Sequence, residues 1–220
     1  VVANGVVLSD AVTDTDTILA ETDIPSELAI EIGGSYEDQQ DMFADLIMLL
    51  AMIIILVYIV MASQFESFMS PFVIMFSIPF AFVGVLLGLW ITGTPLGTMG
   101  MIGILILMGI VVKNGIVLID YTILMRERGK SVAEASVIAA KSRLRPILMT
   151  TLTTVLGMIP MAIGQGEGSE MWRSLGMVVA WGLSISTLVT LVIIPTVYAS
   201  MASWQERRAA RKAAKKLANA

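Results

Sequence analysis

Lys113 lies near the middle of a long apolar run, Met99–Ile119, and it is the residue of this chain best placed to do chemistry. The stretch Met101–Val112 before it carries no charge, and Gly115–Ile119 after it is apolar again. A lysine this deep in a bilayer costs about 2.5–3.5 kcal/mol on insertion scales. We therefore expect an acidic partner or a water-filled path beside Lys113. No acidic residue of the sequence is an obvious partner at that depth, so the partner is expected outside it.

Asp120 follows Lys113 by seven residues, so the two side chains share one face of a helix. Gly109 lies one turn before Lys113 on that face and leaves room for the long side chain. Two alternatives stay open at this point. Asp120 could instead pair with arginines at the end of the helix, and Lys113 could snorkel towards the membrane surface. Snorkelling is disfavoured because about 20 Å of helix separate Lys113 from Arg126.

Four threonines open the next apolar stretch: Thr150, Thr151, Thr153 and Thr154. Their hydroxyls could bridge to a buried lysine or hold water in a proton path. They could equally bond to carbonyls of their own helix or to a neighbouring helix. The sequence leaves both interpretations open.

The composition indicates an integral membrane protein. Of 220 residues, 56% are hydrophobic and only 15% are charged, whereas about a quarter of the residues in a soluble domain are charged. The chain contains neither cysteine nor histidine, which excludes disulfides and thiolate metal sites. Its 16 methionines are scattered, so we expect them to pack rather than to bind metal. The GxGxxG, GxxxxGK[ST] and HExxH patterns are absent, and we expect no enzyme activity, no cofactor and no nucleic-acid binding.

Five apolar stretches are long enough to span a bilayer. They cover residues 46–62, 71–92, 98–125, 147–164 and 175–201. Six of the 14 basic residues fall in the connection 126–146 and six in the tail 205–220, so both segments are expected in the cytoplasm. The N-terminal side is then periplasmic, which suits residues 1–46 with eleven acidic and no basic side chains.

The N-terminal segment, residues 1–40, is predicted to be part of a periplasmic domain. Val6–Thr22 has helical spacing of apolar residues, and Leu28, Ile30 and Ile32 alternate as in a half-buried strand. One helix and one strand cannot close a sheet. The sequence also begins at Val1, and we expect it to be a piece of a longer chain. The predicted fold class is an all-α membrane protein, with five transmembrane helices in residues 41–204, preceded by a small partial α+β periplasmic segment.

Several glycines and prolines lie within the predicted spans. Gly84 and Gly88 form a GxxxG pattern, which is typical of closely packed helices. Pro79, Pro160 and Pro195 lie inside predicted spans and are expected to bend them.

Two motifs carry a family resemblance. The sequence GIVVKNGIVLIDY from Gly109 to Tyr121, followed by RLRPILMTT from Arg143 to Thr151, resembles the C-terminal membrane half of resistance-nodulation-division (RND) transporters. The QFESF segment at 64–68 and the GQGEG segment at 164–168 are also similar to the hydrophobe/amphiphile efflux branch of that family.

The resemblance implies a proton-driven multidrug antiporter of the bacterial inner membrane. Such transporters are homotrimers with twelve spans per protomer, of which this chain would hold the last five. Residues 1–40 would be the end of a periplasmic porter subdomain, which is incomplete in this chain. They work with a periplasmic adaptor and an outer-membrane channel, and the proton motive force replaces any cofactor.

The resemblance also assigns roles to residues of this chain. In the family a buried lysine pairs with two aspartates of the first half, beside a threonine of the following span. Those positions are Lys113 and Thr150; Asn114 follows the lysine, and Arg143 matches an arginine at the cytoplasmic mouth of the proton path. With Asp120, these residues are the candidate proton relay. The paired aspartates themselves are absent from these spans.

Other functions stay open from the sequence alone. The chain could belong to an RND-superfamily exporter of metal, lipid or protein, or to a non-transporting membrane assembly module. A channel is disfavoured because no ring of repeated filter residues is visible.

Overall fold

Helices make up nearly all of the chain that the computed structural model describes, which is residues 14–15, 17–19, 35–164 and 169–218. Residues 14–15 and 17–19 are helical. The longer helices are α1 (Ser35–Phe65), α2 (Met69–Met75), α3 (Ser77–Thr92), α4 (Thr98–Glu127), α5 (Val132–Ile163) and α6 (Ser169–Ala218).

Within the residues that the structure describes, five helical stretches are long and apolar enough to cross a membrane, which confirms the predicted five spans. They are Asp41–Phe65, Met69–Thr92, Thr98–Glu127, Val132–Ile163 and Met171–Gln205. The second stretch combines α2 and α3, which are separated at Phe76. Pro79 is the third residue of α3, so it lies in the first helical turn, where a missing N–H is tolerated.

The partial α+β character of residues 1–40 is not tested by the structure. The helical residues 14–15 and 17–19 fall inside the predicted helix Val6–Thr22. The predicted strand over Leu28–Ile32 lies outside the described residues, and the described ranges contain no strand. The chain divides into two compact units, Val1–Ala51 and Met52–Ala220, and the features below belong to the second unit.

Helix α6 is the centre of the second unit, because it packs against α3, α4 and α5. Val178, Leu183 and Ile194 of α6 are at most 1% exposed. Leu107 and Leu118 of α4 are also almost fully buried. When the helices pack together, the apolar surface of each of these side chains is buried and the side chain gains many close contacts. These contacts hold the helices in register.

Glycines allow α3 and α6 to approach closely. A Cβ added at Gly88 would collide with the Trp181 side chain, and one at Gly84 would lie 3.0 Å from Ile185 Cβ. The predicted role of the GxxxG pattern in close helix packing is confirmed, and its partner helix belongs to the same chain.

The connection predicted over residues 126–146 is largely helical, because α5 begins well before the apolar stretch. Gly129 has φ +83°, which lets the backbone turn sharply after α4. Ser131 then caps α5, with its hydroxyl oxygen accepting a hydrogen bond from the Glu134 N–H at 3.3 Å. The Ala-rich sequence that follows favours a helix. Pro146 lies inside α5 and does not end it.

Candidate functional site

One stripe of α4 is not covered by the part of the chain that the structure describes, and it carries Lys113. The exposed positions Gly109, Lys113 and Asp120 recur at helical spacing. Ile106 and Leu124 extend the stripe in both directions, with 47% and 37% of their surfaces exposed. This uncovered stripe is the candidate functional surface.

The opposite face of α4 fixes the direction of the stripe. Leu107, Val111 and Leu118 are at most 2% exposed on the packed side of the helix. At Gly115 an added Cβ would lie 2.8 Å from Ile74 Cγ2, so α2 also approaches this side closely. Because α4 is held by these contacts, Lys113 is presented away from the packed helices. At Gly109 an added Cβ would meet nothing within 4 Å, in keeping with the predicted room beside the lysine.

Lys113 and Asp120 share the stripe but are not joined. Neither makes a hydrogen bond or ion pair within the described part of the chain. Seven residues of helix separate their Cα atoms by about 10 Å along the axis. Asp120 therefore does not neutralise Lys113 in this structure.

Asn114 points to a different environment from its neighbour. Its side chain is 8% exposed, on the packed side of α4. It has no hydrogen-bond partner among the residues described. The Lys-Asn pair thus places one polar group on the uncovered stripe and the other in the packed interior.

The four threonines of α5 divide into two kinds. Thr150, Thr153 and Thr154 donate to carbonyl oxygens of α5 itself: those of Ile147 at 3.0 Å, Met149 at 2.9 Å and Thr150 at 2.9 Å. Thr151 is buried and its hydroxyl lies 3.2 Å from that of Thr187 on α6. Thr150 is exposed and makes no hydrogen bond to Lys113 in this structure.

Arg143 contacts α4 through an aromatic ring. Its guanidinium carbon lies 4.6 Å from the centroid of the Tyr121 ring, and its Nε is buried without a hydrogen-bond partner in the described residues. This contact joins α5 to α4 one residue beyond Asp120. Tyr121 was not singled out from the sequence. The signal that could have found it is an aromatic residue at the end of α4, close to the basic residues that open α5.

Replacing Tyr121 with leucine is expected to destabilise the protein by about 1 kcal/mol, because a partly buried cation–π contact has that size. The Tyr121→Phe variant keeps the ring face and is expected to match the wild type. Thermal unfolding of the two purified variants measures the difference. Equal loss of stability in both would show that the phenol hydroxyl, not the ring face, matters.

The chain has clear relatives among known proteins. Residues 1–202 match the AcrB/AcrD/AcrF family. The chain is 40% identical over 209 residues to the swarming motility protein SwrC of Bacillus subtilis (strain 168), covering 93% of this chain and 20% of that protein. It is 35% identical over 220 residues to the multidrug resistance protein MdtC of Proteus mirabilis (strain HI4320), covering 100% of this chain and 21% of that protein.

A solved structure of a heavy metal efflux pump has a similar fold. It superposes with a TM-score of 0.77 at 32% identity, over 91% of this chain and 20% of the pump. The chain thus spans about a fifth of the length of these relatives. With 202 residues matched, the chain belongs to the AcrB/AcrD/AcrF family, and the resemblance to RND transporters is confirmed.

Proposed function

We propose that this chain contributes the lysine side of the proton relay in a proton-driven efflux antiporter for drugs and other amphiphiles. The observation that carries the proposal is the uncovered stripe of α4, on which Lys113 has no partner among the residues described. An ammonium facing hydrocarbon is costly, whereas a carboxylate or a water-filled cavity beside it removes that cost. The rest of an RND transporter would therefore cover the stripe and bring the carboxylates to Lys113.

The proposed mechanism depends on whether the carboxylates beside Lys113 are charged or neutral. When the partner carboxylates are ionised, Lys113 is attracted to them, and in a medium of low dielectric constant the attraction is strong. When protons neutralise the carboxylates, the attraction is lost and the stripe takes up a second arrangement. Elements with two discrete packings convert such a local change into a larger movement. Because α4 packs against α6, a movement of α4 would be transmitted to α6, which also packs against α3 and α5.

The other candidate residues extend the relay along α4 and α5. Asp120 lies on the stripe towards the C-terminal end of α4, and Arg143 lies close by on α5. With both basic segments in the cytoplasm, these two residues would stand between the cytoplasm and Lys113. Thr150 and Asn114 are proposed to assist at the level of the lysine.

The wider assembly is proposed from family membership. The complete protein would be a homotrimer of the bacterial inner membrane, with a periplasmic N-terminal segment and a cytoplasmic C-terminus. A periplasmic adaptor and an outer-membrane channel would complete the export path.

Proton counterflow in proteoliposomes tests the proposal. The complete transporter is reconstituted with a pH-sensitive dye inside, an imposed pH gradient and an amphiphilic dye as substrate. We expect substrate transport to dissipate the gradient faster, and transport to stop when a protonophore abolishes the gradient. Substrate movement that is independent of the gradient would contradict a proton antiporter.

Drugs and amphiphiles are preferred as substrates because MdtC, similar over the whole of this chain, is named for multidrug resistance. A heavy metal efflux pump is also among the similar structures. The same vesicles are therefore assayed with a soft metal ion in place of the dye. Gradient loss with the metal alone would identify a metal exporter and overturn the amphiphile assignment.

A further inference from the structure

Three buried threonines form a polar seam between α5 and α6. Thr151 of α5 is 7% exposed, and Thr187 and Thr190 of α6 are 2% and 1% exposed. Thr187 and Thr190 are three residues apart and share one face of α6. We call these three residues the hydroxyl seam. The seam involves neither Lys113 nor the uncovered stripe of α4.

The hydroxyl seam contains O–H groups that are not used by hydrogen bonds between its own members. A threonine hydroxyl offers one O–H donor and two lone pairs. One hydrogen bond joins Thr151 to Thr187 at 3.2 Å, and Thr190 Oγ1 has no partner among the described residues. Of the three O–H groups only one is therefore used within the seam. Buried polar groups in proteins are almost always paired, with protein or with ordered water.

Other hydroxyls of α4 and α6 donate to carbonyl oxygens of their own helix. Thr122 donates to the Leu118 carbonyl oxygen at 2.8 Å, and Thr196 donates to that of Val192 at 2.7 Å. Ser184 likewise donates to the Ala180 carbonyl oxygen at 2.7 Å. The Thr190 hydroxyl, by contrast, makes no such bond to α6. The Thr190 hydroxyl therefore depends on a partner that is not its own helix.

The partner must be small, because the site is closed. With 1% of its surface exposed, Thr190 cannot be reached by a side chain from another part of a transporter. Water is small enough and can accept from two hydroxyls at once.

We propose that the hydroxyl seam is a buried water site, in which Thr190 and the Thr151–Thr187 pair donate to at least one internal water molecule. The water would bridge α5 and α6 where they pack beside α4. This site is independent of the proposed proton relay, so it can be tested whether or not the transporter moves protons.

The proposed water site is tested by whether the Thr190→Val substitution lowers or raises the stability of the protein. In the complete transporter, Thr190→Val replaces the hydroxyl with a methyl group of nearly equal volume. If water pairs the hydroxyl, the variant loses that hydrogen bond, and its unfolding midpoint falls below that of the wild type. If the hydroxyl is unpaired, removing it relieves a buried polar group, and the midpoint rises or stays the same. The matched control is Thr196→Val, at an exposed position bonded to its own helix, which is expected to leave the midpoint unchanged.

A high-resolution density map of the same complete transporter tests directly for the water molecule. The expected result is an ordered water within hydrogen-bonding distance of Thr190 Oγ1, present in the wild type and absent in Thr190→Val. A Thr190 hydroxyl rotated onto the Ser186 carbonyl oxygen, with no water in the seam, would overturn the proposal.

Discussion

Replacing Lys113 with methionine is expected to reduce proton-coupled transport by the complete transporter by about 100-fold or more. The substitution keeps an unbranched apolar side chain of similar length but removes the charge. Carboxylates that pair with Lys113 would then be buried without a counter-ion, and breaking a buried pair in this way costs about 3–5 kcal/mol. Their affinity for protons would rise, so the proton-loaded arrangement would persist and the cycle would stall. Substrate-driven proton flux in proteoliposomes measures the effect.

The control for this experiment is Lys130→Met, which removes one lysine outside the apolar part of α4. Lys130 is exposed in the turn between α4 and α5. Its loss is expected to leave transport within about twofold of wild type, since surface charges contribute little. Unchanged proton flux in Lys113→Met, with Lys130→Met also active, would exclude Lys113 from the relay.

Introducing a methyl group at Gly176 is expected to destabilise the protein by about 2–3 kcal/mol. A Cβ at this position would lie 2.7 Å from the backbone nitrogen of Ala162 and 3.1 Å from its Cα. A flexible side chain could move aside, but a helix backbone cannot, so α5 and α6 would have to separate. Overpacking of this kind costs about 1–3 kcal/mol, and here the separation would also loosen neighbouring contacts. The midpoint of thermal unfolding in detergent measures the loss.

The matched control is Gly97→Ala, at the N-terminus of α4. Gly97 has φ −86°, which any residue adopts, and an added Cβ would meet nothing within 4 Å. We expect the midpoint of this variant to equal that of the wild type. If Gly176→Ala unfolded at the same temperature as Gly97→Ala, the close approach of α5 and α6 would be refuted.

The five membrane spans could be predicted because the length of apolar sequence that a span needs is set by bilayer thickness. The five spans and the central position of Lys113 in an apolar helix follow from that constraint alone. The start of α5 could not be predicted in this way, since residues 132–146 are polar enough to form a connection. Because Ser131 caps the helix and the alanines favour helical structure, these residues form the first turns of α5 instead.

The pairing of polar side chains was the least predictable part of the site. Sequence spacing places Thr150 and Thr154 on one face, but it does not determine whether a hydroxyl turns to its own helix or to a neighbour. That choice depends on the register of α5 against α6, which gives Thr151 the partner Thr187. The contact between Arg143 and Tyr121 likewise depends on the crossing of α4 and α5. The outward direction of Lys113 depends on which face of α4 packs against the other helices, and sequence spacing alone does not determine that face.

The structure of the complete transporter at a resolution that shows side chains tests the central claim most directly. The claim is that another part of the transporter covers the stripe of α4 and supplies a carboxylate to Lys113. The expected result is a carboxylate oxygen within about 4 Å of Lys113 Nζ, in at least one conformation of the protomer. Lipid acyl chains packed along the stripe in every conformation, with no acidic side chain near Lys113, would contradict the claim.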